Sequence, residues 1–231
     1  MEIHGLQKLT LLDFPGHTAC TVFTGRCNFR CPFCQNASLV LQPETLAAVP
    51  REDVFAFLEK RRGLLDGVAV TGGEPTLQPD LGDFLRRVKD LGYRTKLDTN
   101  GARPDVLRSL LAAGLLDYAA MDIKSSPAGY ARCAGVSESV LGPVRESVEL
   151  LEASGLPHEF RTTAVKPLHT PEDFDAIGRW LAGTERYFIQ SFAESGDILG
   201  EGMSAFGREE LEALLAAVRP WIPGAELRGV D

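Results

Sequence analysis

The stretch Gly67-Val68-Ala69-Val70-Thr71-Gly72-Gly73-Glu74-Pro75 runs from a short apolar segment straight into a glycine-rich turn. A run this short and this apolar reads as a strand covered on both faces, the kind found in parallel sheets. The segment beyond the turn has a helical period. Leu81, Phe84, Leu85, Val88 and Leu91 fall on one stripe, with Pro79 near its start and Gly92 just past its end. Strand, turn and helix therefore form one βα unit.

Outward from that unit the pattern recurs. Further strands are predicted at Ala19–Thr24, Arg94–Asp98, Tyr118–Asp122, Glu159–Val165 and Tyr187–Ser191. Between them lie stripes at Val106, Leu107, Leu110 and Leu111, and at Val140, Leu141, Val144, Val148 and Leu151. A third stripe, Phe174, Ile177 and Leu181, comes after Thr170 as N-cap and Pro171 at the first helical position. Residues 51–62 predict the first helix; Leu211, Leu214, Leu215 and Val218 mark the last. Right-handed crossovers wind such units into a parallel sheet or barrel. Six strands suggest an α/β partial (β/α)6 barrel more than a closed eight-stranded one, with a doubly wound sheet as the alternative. No repeat or linker interrupts the chain, so residues 1–231 read as a single domain. Residues 1–18 form an N-terminal extension suited to an edge strand, 19–219 the barrel core and 220–231 a C-terminal tail.

A chain of 231 residues can bury roughly 70–75 % of its unfolded surface and needs no staple to fold. Hydrophobic residues make up 44 % and charged residues 24 %, as in a globular protein. The net charge of −8 argues against a nucleic-acid or anionic-membrane partner, either of which needs a basic face. Glu2, Lys8 and Asp13 interrupt any signal-peptide core, and no apolar run approaches the ~18 residues of a membrane span. A cytoplasmic location is expected. Of the five cysteines, three fall within eight residues, which in a reducing compartment favours metal ligation over disulfides.

Those three stand in Cys27-Asn28-Phe29-Arg30-Cys31-Pro32-Phe33-Cys34. Thiolates at these offsets can converge on one cluster from a single loop, and three of them leave the fourth iron of a [4Fe–4S] cluster without a protein donor. A disulfide would strand one thiol. A tetrahedral zinc site would need a fourth ligand from Cys20, His17 or Cys133. The remaining polar motifs all fall at the C-terminal ends of predicted strands: Gly72-Gly73-Glu74-Pro75, Asp98-Thr99-Asn100-Gly101, Asp122-Ile123-Lys124, then Arg161-Thr162 and Gln190-Ser191. Each alone would pass for turn chemistry or a surface ion pair. Together they ring the rim on which parallel barrels build active sites. Glycine lets backbone approach a ligand closely, and carbonyls with a carboxylate such as Glu74 suit an α-ammonium group. Cys133 reads as non-catalytic. Phe192–Gly207, with four glycines and no period, reads as a mobile lid over the mouth.

These residues resemble the radical S-adenosylmethionine superfamily: C-x3-C-x2-C with an aromatic, Phe33, before the last cysteine, and then G-G-E-P. More closely, the chain is similar to the activating proteins of anaerobic ribonucleoside-triphosphate reductase and, more distantly, to the pyruvate formate-lyase activating enzyme. The stretches that carry this likeness are residues 5–16 (GLQKLTLLDFPG), the cysteine loop, Leu97–Gly101, Met121–Lys124 and Arg161–Thr163. The resemblance implies a [4Fe–4S] cluster on Cys27, Cys31 and Cys34, whose open iron chelates the amine and carboxylate of S-adenosyl-L-methionine. It implies that Gly72, Gly73 and Glu74 hold the amine, and that Lys124 and Arg161 meet the carboxylate or ribose. Phe33 would pack near the adenine, and Asp98, Thr99 and Asp122 would form a monovalent-cation site. One-electron cleavage would give a 5′-deoxyadenosyl radical that takes hydrogen from a glycine of a glycyl radical enzyme, with a flavodoxin- or ferredoxin-type electron donor. Gln35 stands after the last cysteine where many such activators carry histidine. The competing expectations are a radical synthase acting on a small molecule, an activator of another glycyl radical enzyme such as pyruvate formate-lyase, and a zinc or iron–sulfur module without catalysis.

Overall fold

The computed structural model describes residues 1–194 and 196–230. Eight strands form one sheet in chain order: β1 Ile3–Thr10, β2 Ala19–Thr24, β3 Gly67–Gly72, β4 Arg94–Thr99, β5 Tyr118–Asp122, β6 His158–Ala164, β7 Tyr187–Ser191 and β8 Glu226–Arg228. The strands from β2 to β8 pair parallel, and β1 runs antiparallel against β2. The sheet is open, with β1 and β8 as its edges. The six predicted strands are present within a residue or so of their expected bounds. The expected N-terminal extension supplies β1, and the stretch expected as a tail adds a seventh parallel strand, β8.

Helices fill the connections: α1 Ala37–Leu41, α2 Arg51–Lys60, α3 Leu81–Asp90, α4 Pro104–Ala112, α5 Tyr130–Ala134, α6 Leu141–Ser154, α7 Pro171–Trp180 and α8 Arg208–Val218. Each longer helix buries its apolar stripe, as Leu81, Phe84, Leu85 and Val88 do on α3. α7 starts on a reciprocal cap: the Thr170 hydroxyl accepts from the Asp173 N–H while the Asp173 carboxylate accepts from the Thr170 N–H. One apolar core runs beneath the whole sheet, and Phe14, Ala19 and Tyr118 form a satellite at the end away from the cysteines. Three leucines in and just beyond β1, Leu9, Leu11 and Leu12, are exposed. Among the described residues no helix is long and apolar enough to cross a membrane.

In-register parallel pairing brings the C-terminal ends of the strands to one side. Thr24 pairs with Gly72, Thr99 with Met121 and Asp122 with Arg161. The motifs singled out in the sequence therefore share one rim.

Candidate active site

A cavity of about 230 Å³ opens at this rim, lined by all three loop cysteines and by Phe33, Gly72, Gly73, Glu74, Asp98, Thr99, Asp122, Lys124 and Arg161. Every site residue expected from the sequence thus faces one space. Asn36, Asn100, Thr163 and Gln190 join the lining.

The cysteine loop leaves β2 through Arg26, which among the described residues is the one non-glycine with positive φ, at 68°. It is held by backbone. The Gly73 N–H donates to the Thr24 carbonyl and the Glu74 N–H to the Arg26 carbonyl, each at 2.8 Å. A Cβ on Gly73 would overlap the Arg26 carbonyl, and one on Gly72, at φ +113°, would overlap the backbone of Thr24. Glycine is needed at these positions to seat the cysteine loop against the strand end. Gly73→Ala is accordingly expected to cost about 3 kcal/mol or more of stability, at the upper end for overpacking because backbone is the neighbour that must move. Urea unfolding of the two proteins checks this.

The far side of the loop is fixed as well. The Arg30 N–H donates to the Ala134 carbonyl at 2.9 Å, and the left-handed Gly135 packs against Arg30 where no side chain would fit. The stretch expected as a lid is tied to the same loop. Gly200 N–H donates to the Pro32 carbonyl at 2.7 Å, the Ser38 hydroxyl to Asp197 at 2.9 Å and Gln35 to the Ala193 carbonyl at 2.5 Å. Ser195 of that stretch lies outside the described residues.

Burial pushes the Cys31 thiol up to about 12, with the neighbouring thiols adding to the rise and Lys124 opposing it. Cys27 is raised to about 11, first by burial and then by the Glu74 carboxylate. Asn100 links Cys27 to Glu74, its side chain near the sulfur and its N–H on the carboxylate. Asn100 reaches toward the Cys27 Sγ at 3.8 Å and donates to Asn28 at 2.8 Å. Among the described residues no three His, Cys, Asp or Glu side chains are close enough to hold a single metal ion, so the thiols share a cavity without being gathered around a point. Three soft sulfur donors facing one space fit an iron–sulfur cluster, whose assembly on thiols releases protons. Cys20 in β2 and Cys133 in α5 are fully buried and line no part of this cavity, and burial raises both thiols. The inert reading of Cys133 agrees with that placement.

Glu74 is 1 % exposed, and its carboxylate bridges two strand ends. Oε1 accepts from the Thr76 N–H and hydroxyl at 3.1 and 2.5 Å and from the Thr99 hydroxyl at 2.7 Å; Oε2 accepts from the Asn100 N–H at 2.7 Å. Burial still raises its pKa against these four bonds. Asn36 donates to the Gly72 carbonyl at 3.2 Å. The expected ammonium-binding group therefore also ties β3 to β4.

On the opposite side, charges alternate across three strands. Lys96 Nζ donates to Asp98 Oδ1 at 2.5 Å, and Arg161 lies 3.4 Å from Asp98 Oδ2. Arg161 Nε donates to Asp122 Oδ1 and Lys124 Nζ to Asp122 Oδ2, both at 3.0 Å. Burial opposes ionisation of Asp98 and Asp122, but Arg161 with Lys96 or Lys124 more than offsets it and holds both carboxyls below their usual range. Burial likewise disfavours the Lys124 cation, and Asp122 and the Cys31 sulfur outweigh it. Phe33 is buried, with its ring 6.1 Å from that of His169. His169 accepts the Val165 N–H at Nδ1 and bonds the Lys124 carbonyl through Nε2, which fixes the backbone carrying Lys124.

Lys96 is the residue that sequence reading missed. A lysine inside a strand predicted to be buried was the available signal. Asn36 and Gly135 carried none, because their roles depend on contacts distant in the chain.

A profile of the Radical SAM superfamily matches residues 21–181. A Methanocaldococcus jannaschii protein named provisionally as a glycyl-radical enzyme activating enzyme is 29 % identical over 194 residues, covering 82 % of this chain and 79 % of its own. A Thermococcus kodakarensis protein named provisionally as a GTP 3′,8-cyclase is 31 % identical over 163 residues, 67 % of this chain and 50 % of its own. Among solved structures, Streptococcus suis SuiB bound to S-adenosylmethionine superposes with a TM-score of 0.70 at 16 % identity. That alignment covers 89 % of this chain and 49 % of SuiB, so the likeness is one of fold and this chain spans about half of SuiB.

Proposed function

The chain belongs to the Radical SAM superfamily, and from that membership and the geometry of the rim we propose that it cleaves S-adenosyl-L-methionine reductively to place a glycyl radical on a partner enzyme, foremost an anaerobic ribonucleoside-triphosphate reductase. The observation that carries this reading is one cavity that combines three thiols, a buried carboxylate linked to Cys27 through Asn100, and the charged residues Asp98, Asp122, Lys124 and Arg161. In the ladder that alternates across the three strands, Lys96, Arg161 and Lys124 face Asp98 and Asp122, so three positive charges against two negative leave one positive charge over. An amino-acid head group has the complementary pattern, an ammonium for Glu74 and a carboxylate for Lys124 and Arg161.

Cys27, Cys31 and Cys34 would hold the cluster. When bound, it would supply one electron for reductive cleavage of the sulfonium C–S bond, giving methionine and a 5′-deoxyadenosyl radical able to take a hydrogen atom from a glycine Cα. The chain's own side chains orient the head group, and the buried Phe33 and Val40 limit water at the cavity wall. A flavodoxin- or ferredoxin-type protein would supply the electron. What supports a protein substrate is the name borne by the Methanocaldococcus relative, together with the resemblance of residues 5–16 to reductase activators.

The test is to mix the reconstituted protein with an anaerobic reductase of the same organism, S-adenosylmethionine and a reductant. Electron paramagnetic resonance is expected to show a glycyl doublet on the reductase. Release of 5′-deoxyadenosine with no doublet on any glycyl radical enzyme of that organism, and with a small molecule consumed instead, would turn the assignment to a synthase.

A further inference from the structure

Lys96 is 1 % exposed, lies on β4 with its side chain on the same face as Asp98, and among the described residues Asp98 is the hydrogen-bonding partner of its Nζ. An ammonium taken out of water costs several kcal/mol unless a charge meets it. A buried lysine at the back of a binding cavity therefore has to be matched by what stands in front of it.

The monovalent-cation site implied by resemblance at Asp98, Thr99 and Asp122 does not fit this arrangement. Lys96 and Arg161 take the two oxygens of Asp98, and Arg161 and Lys124 take those of Asp122. The Thr99 hydroxyl donates to Glu74 and accepts the Gly101 N–H at 3.1 Å. Each of these oxygens is already engaged. The ladder also already holds one positive charge in excess, and an added metal cation would place a second beside it.

We infer that Lys96 is a built-in cation, a positioning residue that holds Asp98, and through it Arg161, in place of a mobile monovalent ion. The carboxylate-binding end of the cavity is therefore indifferent to the identity of dissolved monovalent cations. The inference rests on the proposed function only for what the ladder binds; the charge substitution itself stands on the geometry.

The test uses the full chain without cluster or cofactor, so its failure is separate from failure of the proposed activity. Thermal unfolding is tracked in NaCl, KCl and tetramethylammonium chloride at equal ionic strength, so that general screening is constant. The wild-type midpoint is expected to agree among the three salts to about 1 °C, well under the 2–4 °C that one kcal/mol moves a chain of this size. Lys96→Met keeps the apolar stem and removes the charge. Its midpoint in tetramethylammonium is expected to fall by about 6 °C or more, and Na⁺ or K⁺ should restore at least about 3 °C of that with a saturable concentration dependence. Lys96→Arg, which keeps the charge, should respond to no cation. A lysine that merely packs would give a loss that no small ion reverses, and that result overturns the inference. So does a wild-type protein that Na⁺ or K⁺ stabilises over tetramethylammonium. If Lys96→Met does not fold, the wild-type comparison alone decides.

Discussion

Cys31→Ala protein, reconstituted without oxygen, is expected to lose its iron and sulfide, from about four of each per chain in the wild type to near background. Production of 5′-deoxyadenosine should fall at least ~10³-fold, which is about 4 kcal/mol of lost transition-state stabilisation. The fold should survive. Among the described residues Cys31 makes one polar side-chain contact, a weak one to the Ala134 carbonyl at 3.7 Å, and the loop around it is held by backbone bonds to Arg30, Pro32 and Cys34 that the substitution leaves in place. Neither other cysteine can substitute, since Cys20 and Cys133 are fully buried elsewhere. Cys133→Ala serves as the control and should keep both iron and activity. Wild-type iron content in Cys31→Ala would end the assignment of the cysteine loop.

The second large effect falls on stability. Arg161 lies between Asp98 and Asp122 and contacts both. Arg161→Met keeps much of the stem and removes the central charge. A loss of about 3 kcal/mol is expected, the low end for breaking a buried pair because Lys96 and Lys124 still face the two carboxylates. The pH dependence carries the sign. With Arg161 present, both carboxyls have folded pKa values below their unfolded value of about 3.9, so their contribution is complete above that pH and is lost as pH falls through the folded values. Without Arg161 the lowering shrinks while burial continues to raise both. Protonation then relieves the variant before it harms the wild type. Urea unfolding at pH 7.5 and at about pH 3, below the unfolded carboxyl value of about 3.9, should show the gap between the two proteins narrowing at the lower pH. A gap that is constant or wider there would mean that the arginine stabilises through packing and not through its charge.

Much of this architecture can be read from the chain because parallel strands covered on both faces need dense apolar runs, and those runs are local. β2 to β7 are legible for that reason. β8 is not: Glu226-Leu227-Arg228 is three residues with a charge at each end, and it becomes a strand only because the edge of β7 is there to pair with it. α1 and α5, five residues each, escape sequence reading on similar grounds, since helices that short are stabilised by tertiary contacts more than by pattern. The rim is legible as a set of residues but not as a set of partnerships. In sequence, Asp98, Thr99 and Asp122 look like oxygens waiting for an ion, because nothing local shows that Arg161 spans two strands or that Lys96 turns inward. Glu74 reads as a group facing a ligand, and in the fold four protein donors share it.

The alternating charges bear on how the strands find one another. Strands apolar on both faces have little to distinguish one alignment from the next, since a one-residue slip exchanges one greasy face for another. Here a slip of β4 against β5 would drive the Lys96 ammonium and the Asp98 carboxylate into the oily layer beneath the helices, apart from Arg161. The charged side chains of the ladder thus act as alignment marks for β4, β5 and β6, and a mispaired sheet would be rejected on electrostatic grounds before any ligand arrives.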